Sequence, residues 1–443
     1  MIAFVCTDIN FRSSTAKGAR RCLAAALALS RRVAVGPAAT HDWHGVERTL
    51  ARFWWMSRSM MIIARALFAI GLVLLAAPLR AADLATPLER LASDAVKEDA
   101  VTGIVVGVGV GGEPPTIVAA GLANVERQTP MTAETGWKAA SIAKTFYAAL
   151  ALDLEQEGWL SLDDKLRRFL PDVPNAGRVS LRQLLNHTSG YDDYISDAFV
   201  AAVHEDPARS WTPRELLVYA QPQRERFPPG SRYDYSNTNY LLVGMALNAA
   251  LSQSPVKEIR RRFLEPLGLR HTWFAAEEPV PRDALARGYA DLDDSGVKRD
   301  ATGEPWPLGG AEEAMVSNAA DLIAWSRALF DGHVLPPQRL AEMLTFVAPP
   351  EEEGAPGSGY GLGVERSRID GVMFYGHTGS APGYNVVMLF EPSTRTAIVV
   401  ALNEDPNDEA LVDILLERVV HVLEEAGAAH FPRPAEAGPK MAQ

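Results

Sequence analysis

Cysteine is nearly absent from this chain of 443 residues: there are two, Cys6 and Cys22, and both lie ahead of Ala82. The remainder therefore has no disulfide, no thiolate chemistry and no cysteine to carry a lipid anchor. An ordinary apolar core must hold it together, and ~360 residues are enough to build one. Long hydrophobic runs are also missing. The apolar stretch ALFAIGLVLLAAPL, after Arg65, is too short for a stable membrane span and ends in Leu79-Arg80-Ala81 before Ala82. It reads as the end of a secretory signal peptide, with translation starting at Met56, Met60 or Met61. Residues 1–81 are thus expected to be a leader and the product to be periplasmic or secreted.

Positive charge is scarce beyond that leader. The stretch from Met1 to Ala81 holds 11 Lys and Arg against 3 Asp and Glu, which leaves 32 basic and 52 acidic side chains and a net charge of −20. So acidic a surface repels phosphate backbones and excludes nucleic acid as a partner. No G-x-S-x-G occurs, which counts against an α/β-hydrolase, and no H-E-x-x-H occurs. His41 and His44 lie in the leader, so no metal and no cofactor is expected. Gly107, Gly109 and Gly112 fit G-x-G-x-x-G, but Pro114-Pro115 forbids the helix that a dinucleotide site needs next.

Residues 101–122 form two β-rich runs around a Gly-Gly-Glu-Pro-Pro turn and predict a hairpin. From Ser141 to about Ala275 the pattern is mostly helical. After about Gly357 it switches to the short strand runs YGLGVERS, VMFYGHTG, YNVVMLFEP and TAIVVALN, and the helix DEALVDILLERVVHVLEEAG closes the chain. Strands at both ends with helices between them predict an α/β (α+β) domain at 82–430. Its antiparallel sheet would come from about 95–140 and 310–427, with an inserted helical region at about 141–309. Residues 431–443 are expected to be a disordered tail, and the stretch from Ala276 to Gly310 a long irregular loop.

The chemistry centres on Ser141 and Lys144, an S-x-x-K pair ahead of a proline-free helical run. Residues three apart share a helix face, which puts an amine beside a hydroxyl, a nucleophile next to a candidate base. S-x-x-K recurs at Ser14, Ser254 and Ser295. Ser14 lies in the leader; Ser254 reads as an N-cap followed by Pro255, and Ser295 sits in an acidic loop. Two further motifs are unique in the chain: Y-x-N at Tyr235-Ser236-Asn237 and [HK]-T-G at His377-Thr378-Gly379.

S-x-x-K, Y-x-N and H-T-G in this order resemble the serine β-lactamase-like hydrolases, the family of class C β-lactamases, D-alanyl-D-alanine carboxypeptidases, D-aminopeptidases and esterases. LLNHTSGY at 184–191, the stretch from Phe227, PLGLRHTWF from Pro266 and MVSNAADLIAWSRALFDG from Met315 extend the resemblance over roughly 95–403. It implies the β-lactamase/transpeptidase-like fold and an acyl-enzyme formed at Ser141, with Lys144 or Tyr235 as base. It further implies Asn237, His377, Thr378 and Gly379 at the substrate, and the backbone N–H groups of Ser141 and Ser380 as oxyanion hole. His377 departs from the lysine commoner in β-lactamases, since an imidazole is only partly charged at pH 7. His187 reads as a structural loop residue. The expected reaction is cleavage of an amide or ester in a small molecule or peptide; a transpeptidase or a non-catalytic binding protein of the same fold is the alternative.

Overall fold

The computed structural model describes residues 83–433, apart from 207–208, 282, 293–294, 305–314, 349–356 and 406–409. All of these belong to the unit that starts at Ala81. The expected leader lies outside the described residues, as does the tail from 434 onward. Phe431 and Arg433, assigned to the tail on sequence, are packed: Phe431 is buried against Phe374, and Arg433 pairs with Glu424 and Asp370.

An eight-stranded sheet organises the domain. Its strands are β1 (Gly103–Gly109), β2 (Thr116–Asn124), β3 (Thr129–Pro130), β4 (Gly359–Tyr360), β5 (Glu365–Ile369), β6 (Val372–Ala381), β7 (Tyr384–Glu391) and β8 (Thr396–Leu402). They lie in the order β3-β2-β1-β8-β7-β6-β5-β4, and each neighbouring pair is antiparallel. The two ends of the chain meet at β1 and β8, where Ile104 faces Leu402. This is the antiparallel arrangement that the sequence predicts, with the hairpin and the last three strands in their expected places; the run YGLGVERS, expected as one strand, is divided between β4 and β5.

Period-two patterning explains why the central strands read as unbroken apolar runs. In β8 Ala397, Val399 and Ala401 face one core, and Ile398, Val400 and Leu402 face another on the opposite side. The second core is covered by helices α1 (Ala85–Lys97) and α6 (Leu411–Glu425). The first is shared with the helical region, of which four helices matter below: α2 (Ala143–Gln156), α3 (Leu181–Leu185), α4 (Asn237–Leu251) and α5 (Ala319–Phe330). The first two glycines of the G-x-G-x-x-G look-alike, Gly107 and Gly109, serve this packing. A Cβ on Gly107 would come within 2.9 Å of Ile323 and 3.1 Å of Ala319, so the bare backbone lets α5 lie close on β1.

Helix α2 has no solvent face over most of its length: every residue from Ala143 to Leu152 is buried. Phe146 stacks on Trp325 at 3.8 Å, and the Trp325 indole N–H donates to Thr145 Oγ1 at 2.8 Å. The α-helix starts two residues later than the pattern suggests. A 3₁₀ turn, Ala140–Ile142, precedes it, with Ala140 in the left-handed region at φ +44°. Short pieces of 3₁₀ helix at an α-helix N-terminus are common, but a positive φ at alanine is strained by roughly 1–2 kcal/mol. The other S-x-x-K serines fall as expected where they are described: Ser254 caps a helix with Pro255 at its first position, and Ser295 lies in a loop.

Candidate active site

The strained turn holds Ser141 between the end of a short strand, Trp137–Lys138, and the buried helix α2. One helical turn on, Lys144 Nζ donates to Ser141 Oγ at 2.8 Å and to Asn237 Oδ1 at 2.9 Å. Lys144 is fully buried and lies 5.3 Å from the ring centroid of Tyr235 and 5.6 Å from that of Tyr240. Tyr235 OH approaches Ser141 Oγ to 3.1 Å from the other side. The structure thus brings together Ser141 and Lys144 of one motif with Tyr235 and Asn237 of another, far along the chain.

Asn237 begins α4 and is held by Asp193, which sequence reasoning did not single out. The Asp193 carboxylate accepts from Asn237 N at 2.9 Å and from Asn237 Nδ2 at 3.0 Å, which turns the amide oxygen toward Lys144. Burial raises the Asp193 pKa, while the N–H donors of Asn237 and Ile195 and the nearby Lys144 oppose that shift.

His187 lies in the turn after α3, a structural loop residue as expected, and it packs directly beneath the site. At φ +56° it is fully buried, and its ring stacks on Tyr235 at 4.2 Å and meets Tyr360 edge-on at 4.6 Å. Nδ1 accepts from Ser236 N at 3.2 Å and from the Asn239 amide at 3.0 Å. With Nδ1 accepting, the neutral ring carries its proton on Nε2, which has no hydrogen-bond partner among the described residues. Burial holds the His187 pKa well below the usual histidine value, and Lys144 and His377 add to the effect.

The H-T-G strand β6 runs beside the Ser141 turn. Gly379 is required there, because a Cβ would lie 2.3 Å from Ala139 O. His377 is fully buried, with Nδ1 2.6 Å from Thr378 O and Nε2 2.8 Å from Tyr360 OH. A carbonyl only accepts, so Nδ1 carries the proton and Tyr360 donates to Nε2. Burial lowers the His377 pKa against the pull of Glu365, and Lys144 lowers it further. His377 is thus a neutral link in a packed network, not a cation presented to a ligand. Thr378 gives N–H at 3.1 Å and Oγ1–H at 3.0 Å to the Glu365 carboxylate. The side chains of Thr378 and Ser380 line a cavity of about 500 Å³ that faces α6. Any part for Ser380 at Ser141 is therefore played by its backbone.

Among the described residues no cluster of His, Cys, Asp and Glu has the geometry to hold a metal, and no helix is long and apolar enough to cross a membrane. A half-buried hydroxyl within reach of both an amine and a phenol, at the start of a buried helix and beside an open strand edge, is an arrangement for acyl transfer.

Fold and site define a serine-hydrolase scaffold, and comparison with known proteins places it: the chain belongs to the β-lactamase family, whose model matches residues 88–421. Within that family it is 30% identical over 290 residues to a D-aminopeptidase of Gluconobacter oxydans, a match covering 64% of this chain and 52% of that protein, so the chain spans about half of that relative's length. It is 26% identical over 331 residues to penicillin-binding protein 4* of Bacillus subtilis, covering 68% of each. Among solved structures, the D-amino acid amidase of Ochrobactrum anthropi SV3 superposes with a TM-score of 0.70 at 29% identity, covering 78% of this chain and 99% of that one.

Proposed function

We propose that this chain is an exported serine hydrolase that forms an acyl-enzyme at Ser141 and cleaves the amide bond of D-amino-acid amides or short D-peptides. One observation carries the reaction type: Ser141 Oγ touches both Lys144 Nζ and Tyr235 OH. The proton leaving Oγ passes to this pair as the oxygen attacks the carbonyl carbon. It is then delivered to the leaving nitrogen as the C–N bond breaks. Water repeats the sequence on the ester and regenerates Ser141. Developing negative charge on the carbonyl oxygen would be met by the backbone N–H groups of Ser141 and Ser380. The D-amino-acid preference rests on the named activities of the aminopeptidase and amidase relatives. Export rests on the apolar run before Ala82.

Two measurements test the proposal. A fluorophosphonate should label the protein at Ser141, and D-alaninamide should be hydrolysed in preference to its L-enantiomer; Ser141→Ala should lose both label and turnover. Labelling that survives this substitution refutes the acyl-enzyme. Mass spectrometry of the exported protein should find an N-terminus near Ala82, and a cytoplasmic chain that keeps the whole stretch ahead of Ala82 would refute export.

A further inference from the structure

Ser141, Lys144 and Asn237 belong to a longer chain of hydrogen bonds, and its far end is a carboxylate. Lys144 Nζ gives one hydrogen to Ser141 Oγ at 2.8 Å and another to Asn237 Oδ1 at 2.9 Å. On the other side of that amide, Asn237 Nδ2 donates to Asp193 Oδ2 at 3.0 Å, and Asn237 N donates to the same oxygen at 2.9 Å. Ile195 N donates to Asp193 Oδ1 at 2.9 Å. All three partners are N–H donors and none is an acceptor, an environment built for the carboxylate and not for the acid. Among the described residues the one cation whose charge acts on Asp193 is Lys144. The neighbouring Asp192 differs: it pairs with Arg226 at 3.3 Å, and Arg226 also reaches Asp234 at 3.1 Å.

A nucleophile, a base and a third group that orients the base make up a relay for activating a hydroxyl. In this chain the third group reaches the base through an amide. With N and Nδ2 of Asn237 both bound to one carboxylate oxygen, the amide is locked and Oδ1 faces Lys144. The sign of the charge matters as well. As Ser141 attacks, its proton passes to Lys144 and Tyr235, and the pair gains one positive charge. A fixed anion behind Asn237 favours that gain without rearranging during the reaction. Resting on the function proposed above, we propose that Asp193 is a positioning residue: it locks Asn237 against Lys144 and holds a negative charge behind the pair that takes the Ser141 proton. No bond to Asp193 forms or breaks, and it takes up no proton. The other titratable groups around Lys144 are Tyr235 and Tyr240, over whose rings its Nζ lies, and His187 and His377, which burial keeps neutral. Around Asp193 they are Asp192, whose Oδ1 accepts from Asp193 N at 3.0 Å, and through it Arg226.

The rate at which a fluorophosphonate labels Ser141, followed against pH, reads the nucleophile without recognition of an amide substrate. In wild type the rate should rise with pH to a plateau as the pair becomes free to accept the proton. D193N keeps the shape of the side chain and an oxygen for Asn237 but removes the charge. Its plateau should be lower by about tenfold, as a weaker base gives. Its rising limb should lie about one pH unit lower, because a nearby carboxylate favours the protonated, positive form of the pair. D193E, which retains the charge on a longer arm, should lower the plateau but keep the limb where wild type has it. A D193N profile that matches wild type overturns the proposal. So does one lowered evenly with its limb unmoved, which is what a merely structural role gives. Should circular dichroism show D193N unfolded, D193E carries the test: a limb displaced despite the retained charge overturns the proposal, and an unmoved limb with reduced kcat on D-alaninamide upholds it. Absence of labelling in wild type would instead overturn the serine mechanism and, with it, this inference.

Discussion

Tyr235 is the residue on which mechanism and structure bear most directly, because its hydroxyl reaches Ser141 while its ring lies on His187. General-base assistance is typically worth 10²–10⁴-fold, so Tyr235→Phe should lower kcat by about that factor with the fold intact. Combining it with Lys144→Ala should cost much less than the product of the single losses, since the two serve one proton path; fully multiplicative losses would show that they act apart. His187→Phe keeps a ring under Tyr235 but removes the acceptor of Ser236 N and the Asn239 amide. Orphaning buried donors costs about 1–3 kcal/mol each, which urea unfolding should register, and kcat should fall more than KM rises. Stability and kcat both at wild-type values would show that His187 positions nothing. Ser141, Lys144, Tyr235, Asn237 and His377 are legible in sequence because their chemistry demands fixed residue types at fixed short spacings. His187 and Asp193 are not. One acts through a left-handed backbone and a stack on a side chain from a distant loop, and the other through hydrogen bonds to Asn237 that no motif marks.

At the scale of elements, the contact that matters is β6 against the turn before α2. Gly379→Ala would set a Cβ 2.3 Å from Ala139 O and 3.0 Å from the Val386 side chain, and the Ala139 backbone cannot give way without moving the turn. The strand must draw back from Ser141. We expect a folded protein destabilised by about 1–3 kcal/mol, with kcat/KM down by about a hundredfold or more. A variant of wild-type activity would mean that this close approach does not position the nucleophile. Elements of this kind differ in how far sequence reveals them. The runs TAIVVALN and YNVVMLFEP announce strands because both faces are buried, and α2 announces a helix by length and the absence of proline. The 3₁₀ turn at Ser141 leaves no such trace, since neither glycine nor asparagine marks the positive φ at Ala140.

For the whole molecule, two imidazoles buried in the neutral state set a dependence on acid. His187 and His377 both have folded pKa values below the ordinary value, so as pH falls through about 6.5 the unfolded chain takes up protons first. Stability is therefore lost on the acid side, at up to about 1.4 kcal/mol per pH unit for each imidazole. Asp193, Asp321 and Asp405, raised by burial, act in the opposite sense. Comparing wild type with His187→Gln isolates one contribution: between pH 6.5 and 5.5 the wild-type urea stability should fall more steeply, by about one proton's worth of slope. Parallel curves would show that His187 titrates as an ordinary histidine.

The pairing of β1 with β8 also sets an order of events. Ile104 waits for Leu402, in the last strand of the sheet, so the middle of the sheet closes only when almost the whole chain is present. Contacts this distant in sequence are slow to form, because a long loop must be closed before they give any return. Until then Ser141, Lys144, Tyr235 and Asn237 have all been made but lack β6, which follows them in the chain and forms the other wall of the site. A chain still being synthesised therefore carries Ser141 without the wall that β6 provides, and the proposed hydrolysis can begin only after the last strand has arrived.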